Sequence, residues 1–485
     1  MPTVLVVVDG IGLADPAAAG NAVTPQTLPI LFGAMSERGF ATLEASGPAV
    51  GLDPGQAGNS EVGHVTIGAG FVTPSALARI DAAFEAGALA ANPVFARIGA
   101  APRLHLVGLV SGAGTHGHVR TIERAAVAAL ENGVGEVVLH LGLDGVDSPA
   151  GSAPDLLRAL FDPLSSAGRV RVGSVIGRRW MCDRSGDLAI TRVVVDAVEG
   201  RGAVPAWSDA ALAAHLSRDG EASFPAHRGE AMPRGPGEPV LLTANRADRA
   251  VQVARLLAAG GPVYAFVALG DVVPEPHVLF PTRPLDRGLA FALGERGLVT
   301  ARVAETCKYP HVTYFLDGRN EFTDGTRVCL PSLPEAALAT TPQMRAAEIA
   351  DAVVGLVHAG RHDLVVGNIA NMDQIGHLGR LDVARDAAVH VDRALARIAD
   401  ACRACGWTLL VTSDHGNADR LVDDAGRPFG SHTTAPTPLA VLPADGGVVR
   451  WRAREGSLAN LAATVLATLG VPAPSYMASS LVEIA

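Results

Sequence analysis

The chain has 485 residues, of which 48% are hydrophobic and 18% charged, with a formal net charge of −10. A chain this long buries more than one core, which predicts two or more domains, and the acidic balance argues against a nucleic-acid-binding face. The five cysteines are odd in number and scattered, which argues against a disulfide framework.

In chain order, the first element is "TVLVVVDG", a β-branched run ended by aspartate and glycine, the pattern of a buried parallel strand. Its apolar part, Val4–Val8, is too short for a membrane span and lacks a basic flank, so a cytoplasmic protein is expected. Asp9 sits on the loop leaving the carboxyl end of that strand, where α/β folds place ligands. "GQAGNSEVGHVTIG" at 55–68 then sets Ser60 among glycines and small residues, as a helix cap, a phosphate holder or a nucleophile. Further apolar runs follow in "RLHLVGLVSG", "EVVLHLGLDG", "RVRVGSVIG", "PVLLTANR", "PVYAFVALGD", "DLVVGNIANMD" and "WTLLVTSDHG". Alanine-rich helical stretches such as "TIERAAVAALENG" and "VARDAAVHVDRALARIADACRACG" lie between them. This alternation predicts an α/β protein of mostly parallel sheets flanked by helices. Cys402 and Cys405 in "CRAC" read as two thiols on a helix facing partly inward, because no second such pair exists to complete a zinc knuckle.

Proline-bearing joints near 70–81 and 277–288 divide the chain. They predict a discontinuous outer domain of 1–74 and 284–485, with an inner α/β domain of 75–283 inserted between its two parts.

Hard-metal ligands collect in three C-terminal segments. "NMDQIGHLG" puts Asp373 and His377 four apart, so both point the same way on a helical turn. "TSDHGNAD" sets Asp414 beside His415 after a buried strand, and "GSHTTAPTP" offers His432. A mixture of carboxylate and imidazole suits Mn²⁺ or Zn²⁺, whereas carboxylates alone suit Mg²⁺ or Ca²⁺. Together with Asp9 these residues predict a two-metal centre, which clamps the attacking and leaving oxygens of an in-line displacement. Ser60 beside such a centre is a competent phosphoryl acceptor, with Asn59 suited to a phosphoryl oxygen. Glu61 and His64 read as buttresses of the loop. In "IGRRWMCDR" and "NRADR", Arg178, Arg184, Arg246 and Arg249 follow apolar strands and offer planar forks for phosphate or carboxylate, while Arg179 reads as surface.

The segments "VVDGIG", "GQAGNSEVGHVTIGAG", "KYPHVTYF", "NMDQIGH", "TSDHGNAD" and "SHTTAPTP" run in order from residue 4 to about residue 440. Together they resemble the signature segments of cofactor-independent (2,3-bisphosphoglycerate-independent) phosphoglycerate mutase, of the alkaline phosphatase superfamily. The resemblance implies one metal held by Asp9, Ser60, Asp414 and His415 and another held by Asp373, His377 and His432. Both are typically manganese in that family, with zinc or cobalt as alternatives. It further implies that Ser60 carries a transient phosphoryl group with Lys308 near it. Arg178, Arg184, Arg246, Arg249 and His116 would hold the glycerate part, with His118 the less favoured histidine. Asp147 would take and return the hydroxyl proton, a task that suits a carboxylate, and His311 would support structure. The implied activity interconverts 2-phosphoglycerate and 3-phosphoglycerate in glycolysis. The implied partner is a small phosphorylated three-carbon acid, with no nucleic acid and no membrane, and the implied state is a monomer.

Three positions depart from the family pattern. Val146 stands in "DGVD" where an arginine is usual, Gly112 in "SGAG" where an aspartate is usual, and Ile11 in "DGIG" where an aromatic residue is common. Losing one charge-assisted contact costs about 1.5–3 kcal/mol of binding. That opens an alternative: a diverged transferase moving a phosphoryl-like or phosphonoformyl group from a nucleotide-activated donor to a glycerate hydroxyl.

Overall fold

The structure is a computed structural model and describes residues 1–99, 101–183, 186–281 and 283–483. The chain forms two compact units, one of Met1–Ser75 with Arg283–Ala485 and the other of Ala76–Thr282. Each is a mainly parallel sheet flanked by helices, the α/β class that the strand and helix alternation predicts.

In the first unit eight strands lie in the order Thr326–Leu330, Thr300–Glu305, Leu364–Ile369, Thr3–Val8, Thr408–Thr412, Thr437–Leu442, Phe40–Glu44, Glu455–Ser457. Only Thr437–Leu442 runs against the others. Thr3–Val8 sits inside the sheet, parallel to Leu364–Ile369 on one side and Thr408–Thr412 on the other. All six of its residues are buried, which is why it reads as an unbroken apolar run. Val4, Val6 and Val8 pack into one core cluster and Leu5 and Val7 into a second, as the two-residue period of a strand requires. Helix Leu381–Cys405 covers the first cluster with Ala384, Ala387, Val391, Leu395, Ile398 and Cys402, a stripe at three- and four-residue spacing. Each fully buried leucine or valine there contributes roughly 1.5–3 kcal/mol. The helix stops at Gly406, whose φ of 72° few other residues adopt cheaply. Cys402 is buried and Cys405, in the last turn, is exposed, so only the first of the two thiols faces inward.

In the second unit seven strands lie in the order His227–Arg228, Val170–Gly177, Glu136–Leu143, Arg103–Val110, Val240–Leu242, Val263–Val267, Val278–Phe280, all parallel except the first. A polar thread crosses this apolar sheet. His105 Nε2 lies 3.0 Å from Glu238 Oε2, His105 Nδ1 lies 2.9 Å from His140 Nε2, and His140 Nδ1 lies 2.9 Å from Ser174 Oγ. The carboxylate accepts only, so His105 donates through Nε2, His140 donates to His105, and Ser174 donates to His140. Burial pushes both imidazoles below their ordinary value of 6.5, His140 well below it. Among the described residues, no helix is long and apolar enough to cross a membrane.

Candidate active site

The chemistry-bearing side chains of the first unit hang from the carboxyl ends of its central strands. Asp9 follows Thr3–Val8, Asp373 follows Leu364–Ile369, Asp414 and His415 follow Thr408–Thr412, and Lys308 follows Thr300–Glu305. A turn at Gly10, with φ +87°, lets the chain pass the Asp373 backbone, where a Cβ would lie 2.6 Å from the Asp373 nitrogen. Ser60 is the first residue of helix Ser60–Ala69, whose cap is Asn59: the Asn59 side chain accepts from the Val62 N–H at 3.0 Å. With capping done by its neighbour, the Ser60 hydroxyl is free to face the carboxylates from the positive end of the helix. Gly63 brings that helix close, since a Cβ there would meet the Asp414 carbonyl at 2.6 Å.

Ser60 Oγ lies 2.6 Å from Lys308 Nζ, 3.0 Å from His415 Nε2 and 3.2 Å from Asp9 Oδ1. Lys308 Nζ also reaches Asp9 Oδ1 at 2.6 Å and Asp373 Oδ2 at 2.8 Å. Burial disfavours a charged ammonium, but Asp373, Asp9 and Asp414 outweigh it and hold Lys308 above its ordinary range. Burial likewise opposes charge on His415, yet Asp414, Asp9 and Asp373 raise it to about 9. Asp414 is pushed up by burial and pulled further down by His415 and His64, so it stays a carboxylate.

These residues fit divalent cations. Three buried carboxylates face one ammonium, and Asp414 Oδ1 is buried with no hydrogen-bond partner among the described residues, an arrangement costly without positive charge beside it. His377 Nδ1, His432 Nδ1 and His415 Nδ1 lie 2.8, 2.8 and 3.3 Å from the carbonyls of Gly430, Gly58 and Gly416. A carbonyl accepts only, so each ring carries a proton on Nδ1 and directs Nε2 toward the carboxylates, leaving Nε2 as the nitrogen on which a bound cation would replace a proton. His377 Nε2 and His432 Nε2 are 3.3 and 3.2 Å from Asp373 Oδ1. Two triads have ligand atoms within 4.8 Å of one another, Asp373 with His415 and His432, and Asp9 with His64 and Asp414. His415 stands between them, 3.4 Å from Asp9 Oδ1 and 3.8 Å from Asp373 Oδ1.

The second unit collects its polar groups at the same end of its sheet. Arg178 opens the short helix after Val170–Gly177 and is nearly buried, with Nη1 2.6 Å from Asp147 Oδ2 and also paired with Asp144. Burial pushes Asp144 up, but Ser111 and Arg178 hold it below the usual carboxylate range. A few residues along the edge, Asp248 lies 3.3 Å from His116 Nδ1, 3.6 Å from Arg246 Nε and 3.5 Å from Arg249 Nε. Burial raises Asp248, and His116 and the two arginines more than offset it, to about 2. His116, Arg246 and Arg249 line a cavity of about 30 Å³ with Met181 and Cys182, and burial pushes the Cys182 thiol up to about 12. His118 caps helix Val119–Glu131 by accepting from the Arg120 N–H. Arg184 lies outside the described residues.

Residues 1–473 match the family model described as the metalloenzyme superfamily. A 2,3-bisphosphoglycerate-independent phosphoglycerate mutase of Nitratidesulfovibrio vulgaris is 36% identical over 98% of each chain, and one of Dinoroseobacter shibae is 37% identical over 98% of each. The chain belongs to this family. Phosphoglycerate mutase of Leishmania mexicana, solved at low cobalt concentration, superposes with a TM-score of 0.81 at 26% identity, covering 100% of this chain and 98% of that one. The family is one of metal-dependent enzymes, in keeping with the two ligand triads of the first unit.

Several residues of these clusters carried no sequence argument. Asp144 and Asp248 lie inside the segments "LDGVD" and "NRADR", but spacing does not say which carboxylate orients an arginine. Asn368 is a lone amide in the buried strand "LVVGNI", which was the one visible signal. Val146 is 62% exposed on the loop after Glu136–Leu143, and the nearest side-chain atom to a Cβ at Gly112 would be 3.6 Å away, so packing does not demand glycine there.

Proposed function

We propose that this chain interconverts 2-phosphoglycerate and 3-phosphoglycerate through a phosphorylated Ser60. The observation that carries the reading is the position of Ser60 Oγ, within 3.2 Å of Lys308, His415 and Asp9 at the positive end of a helix. In the forward half, a bond forms between phosphorus and Ser60 Oγ, whose proton passes to solvent and is restored when the phosphoryl group leaves, while the bond from phosphorus to the glycerate oxygen breaks. That oxygen leaves as a hydroxyl, its proton delivered by Asp147. In the return half, the other glycerate hydroxyl gives its proton to Asp147 and reclaims the phosphoryl group. Lys308 stabilises charge on the phosphoryl oxygens, and its held proton makes it a donor, not a base. Arg178, Arg246 and Arg249 hold the glycerate carboxylate and phosphate, a role shared by His116 and Arg184.

Asp9, Ser60, Asp414 and His415 would hold one divalent cation and Asp373, His377 and His432 the other, with Mn²⁺ favoured over Zn²⁺ and Co²⁺. When bound, such cations supply Lewis acidity that lowers the pKa of a serine hydroxyl and offsets phosphoryl charge. The protein is expected to work as a cytoplasmic monomer in glycolysis, with 1–74 and 284–485 holding metal and 75–283 holding substrate.

A second reading is favoured by exposed Val146 and open Gly112, which leave that loop without the cation or carboxylate usual in the family. It transfers a phosphoryl-like or phosphonoformyl group from a nucleotide-activated donor to a glycerate hydroxyl. Phosphorus NMR of the purified Mn²⁺-loaded protein decides. The expected result is 3-phosphoglycerate converting to 2-phosphoglycerate without free phosphate, slowed at least about 10³-fold by Ser60→Ala. No conversion, with turnover of a nucleotide-activated donor instead, selects the second reading, and release of phosphate alone marks a hydrolase.

A further inference from the structure

Asn368 is the last residue but one of the strand Leu364–Ile369 and has no exposed surface. An amide buried in an apolar strand is costly unless hydrogen-bonded, so its partners matter. Its Nδ2 donates to Asp9 Oδ2 at 2.8 Å and lies 3.3 Å from His64 Nε2. The Asp9 carboxylate only accepts, which forces the NH₂ side of the amide toward it; Oδ1 points elsewhere, buried without a hydrogen-bond partner among the described residues.

That orientation propagates. An NH₂ group only donates, so His64 Nε2 must accept, and the proton of the neutral ring must sit on Nδ1. His64 Nδ1 is 2.9 Å from the Ser60 carbonyl and 3.2 Å from Asp414 Oδ2. The Nδ1–H is therefore given to the Ser60 carbonyl, with the Asp414 carboxylate within ion-pair reach of the same nitrogen. His311 closes the other side of the ring, edge-on at 5.5 Å between centroids.

We infer that Asn368 is a positioning residue that orients Asp9 directly and Asp414 through His64, and that His64 is thereby a hydrogen-bonding support, not a metal ligand. This rests on the reading of Asp9 and Asp414 as cation ligands. His64 turns Nε2 to the Asn368 amide, whereas His377, His415 and His432 turn Nε2 toward Asp373 or Asp9. With Oδ2 of Asp9 held by the amide, Oδ1 is the oxygen left facing Ser60 and Lys308. One side chain so sets the two strand ends and the first turn of the serine helix in a single register.

The test has two arms. Nitrogen-15 NMR of histidine-labelled wild-type protein, with His64 assigned by its loss in His64→Gln, is expected to show the proton on Nδ1. Calorimetry with Mn²⁺ is expected to show an affinity about 10–100-fold weaker in Asn368→Leu, an isosteric change that keeps the strand packed, with kcat lowered and KM unchanged. Asn368→Asp, which also cannot donate to Asp9, is expected to weaken Mn²⁺ at least as much, and circular dichroism checks that both variants fold. A His64 proton on Nε2 in the wild type overturns the inference, as does unchanged Mn²⁺ affinity in a folded variant. A wild-type protein that binds no Mn²⁺ overturns the metal-centre reading and this inference with it.

Discussion

The two units place their polar groups at the same point of similar sheets and charge them differently. At the carboxyl edge of the first sheet, Asp9, Asp373 and Asp414 face a single ammonium, that of Lys308. At the corresponding edge of the second, Arg178, Arg246 and Arg249 are matched by Asp144, Asp147 and Asp248. An unmatched buried carboxylate calls for a cation. A matched arginine does not need an anion, but a guanidinium has five N–H donors, and pairing through Nε or one Nη leaves others available. The carboxylates of the second unit are paired with arginines, whereas those of the first outnumber the lysine they surround. On the reading proposed above, one topology would support a metal centre or an anion grip according to which charge is left in excess.

The largest effect that tests this contrast is expected from Asp414→Asn. Removing that charge should weaken Mn²⁺ binding by at least about 100-fold in calorimetry, beyond what losing an outer support costs. A change below about threefold would mean that the excess carboxylates do not bind metal. Next comes Arg178→Met, which removes an anion donor from the second unit. It should raise KM for phosphoglycerate by roughly 10–150-fold, the equivalent of about 1.5–3 kcal/mol, and leave Mn²⁺ affinity unchanged. Loss of metal binding in that variant would blur the division of labour.

The smallest effect concerns the buried histidines. His105 and His140 are held below 6.5 by burial, so the folded second unit binds fewer protons than its unfolded chain. The stability this contributes is present above pH 6.5 and is lost as pH falls below it, by up to about 1.4 kcal/mol per pH unit for each histidine. Hydrogen exchange at pH 7.5 and 5.5, corrected for intrinsic rates, should show Glu136–Leu143 losing protection over this range relative to Thr3–Val8. Equal loss in both strands would remove the distinction.

Much of the architecture is legible in the chain because a buried parallel strand must be apolar along its whole length. "TVLVVV" and "TLLVT" therefore announce themselves, and each is a fully buried strand. Residues with metal or phosphoryl chemistry follow such strands directly, so Asp9, Asp373, Asp414 and His415 stand out as candidates. The role of Ser60 stays open at that level, because a cap and a nucleophile look alike until Asn59 is seen to do the capping. Val146 and Gly112 are likewise visible as departures, but only packing shows that nothing around Gly112 requires a glycine.

The linear chain by itself determined the α/β class, the strand ends where reactive side chains gather, and the chemical types available there, since these depend on local pattern and on side-chain chemistry. The tertiary structure alone decided which polar groups meet. Asn368 finds Asp9 from 359 residues away, and His140 finds His105 across two strands. A hydrogen bond depends on ångström distances and on which atom carries the proton, and neither is encoded in the spacing of residues along a chain.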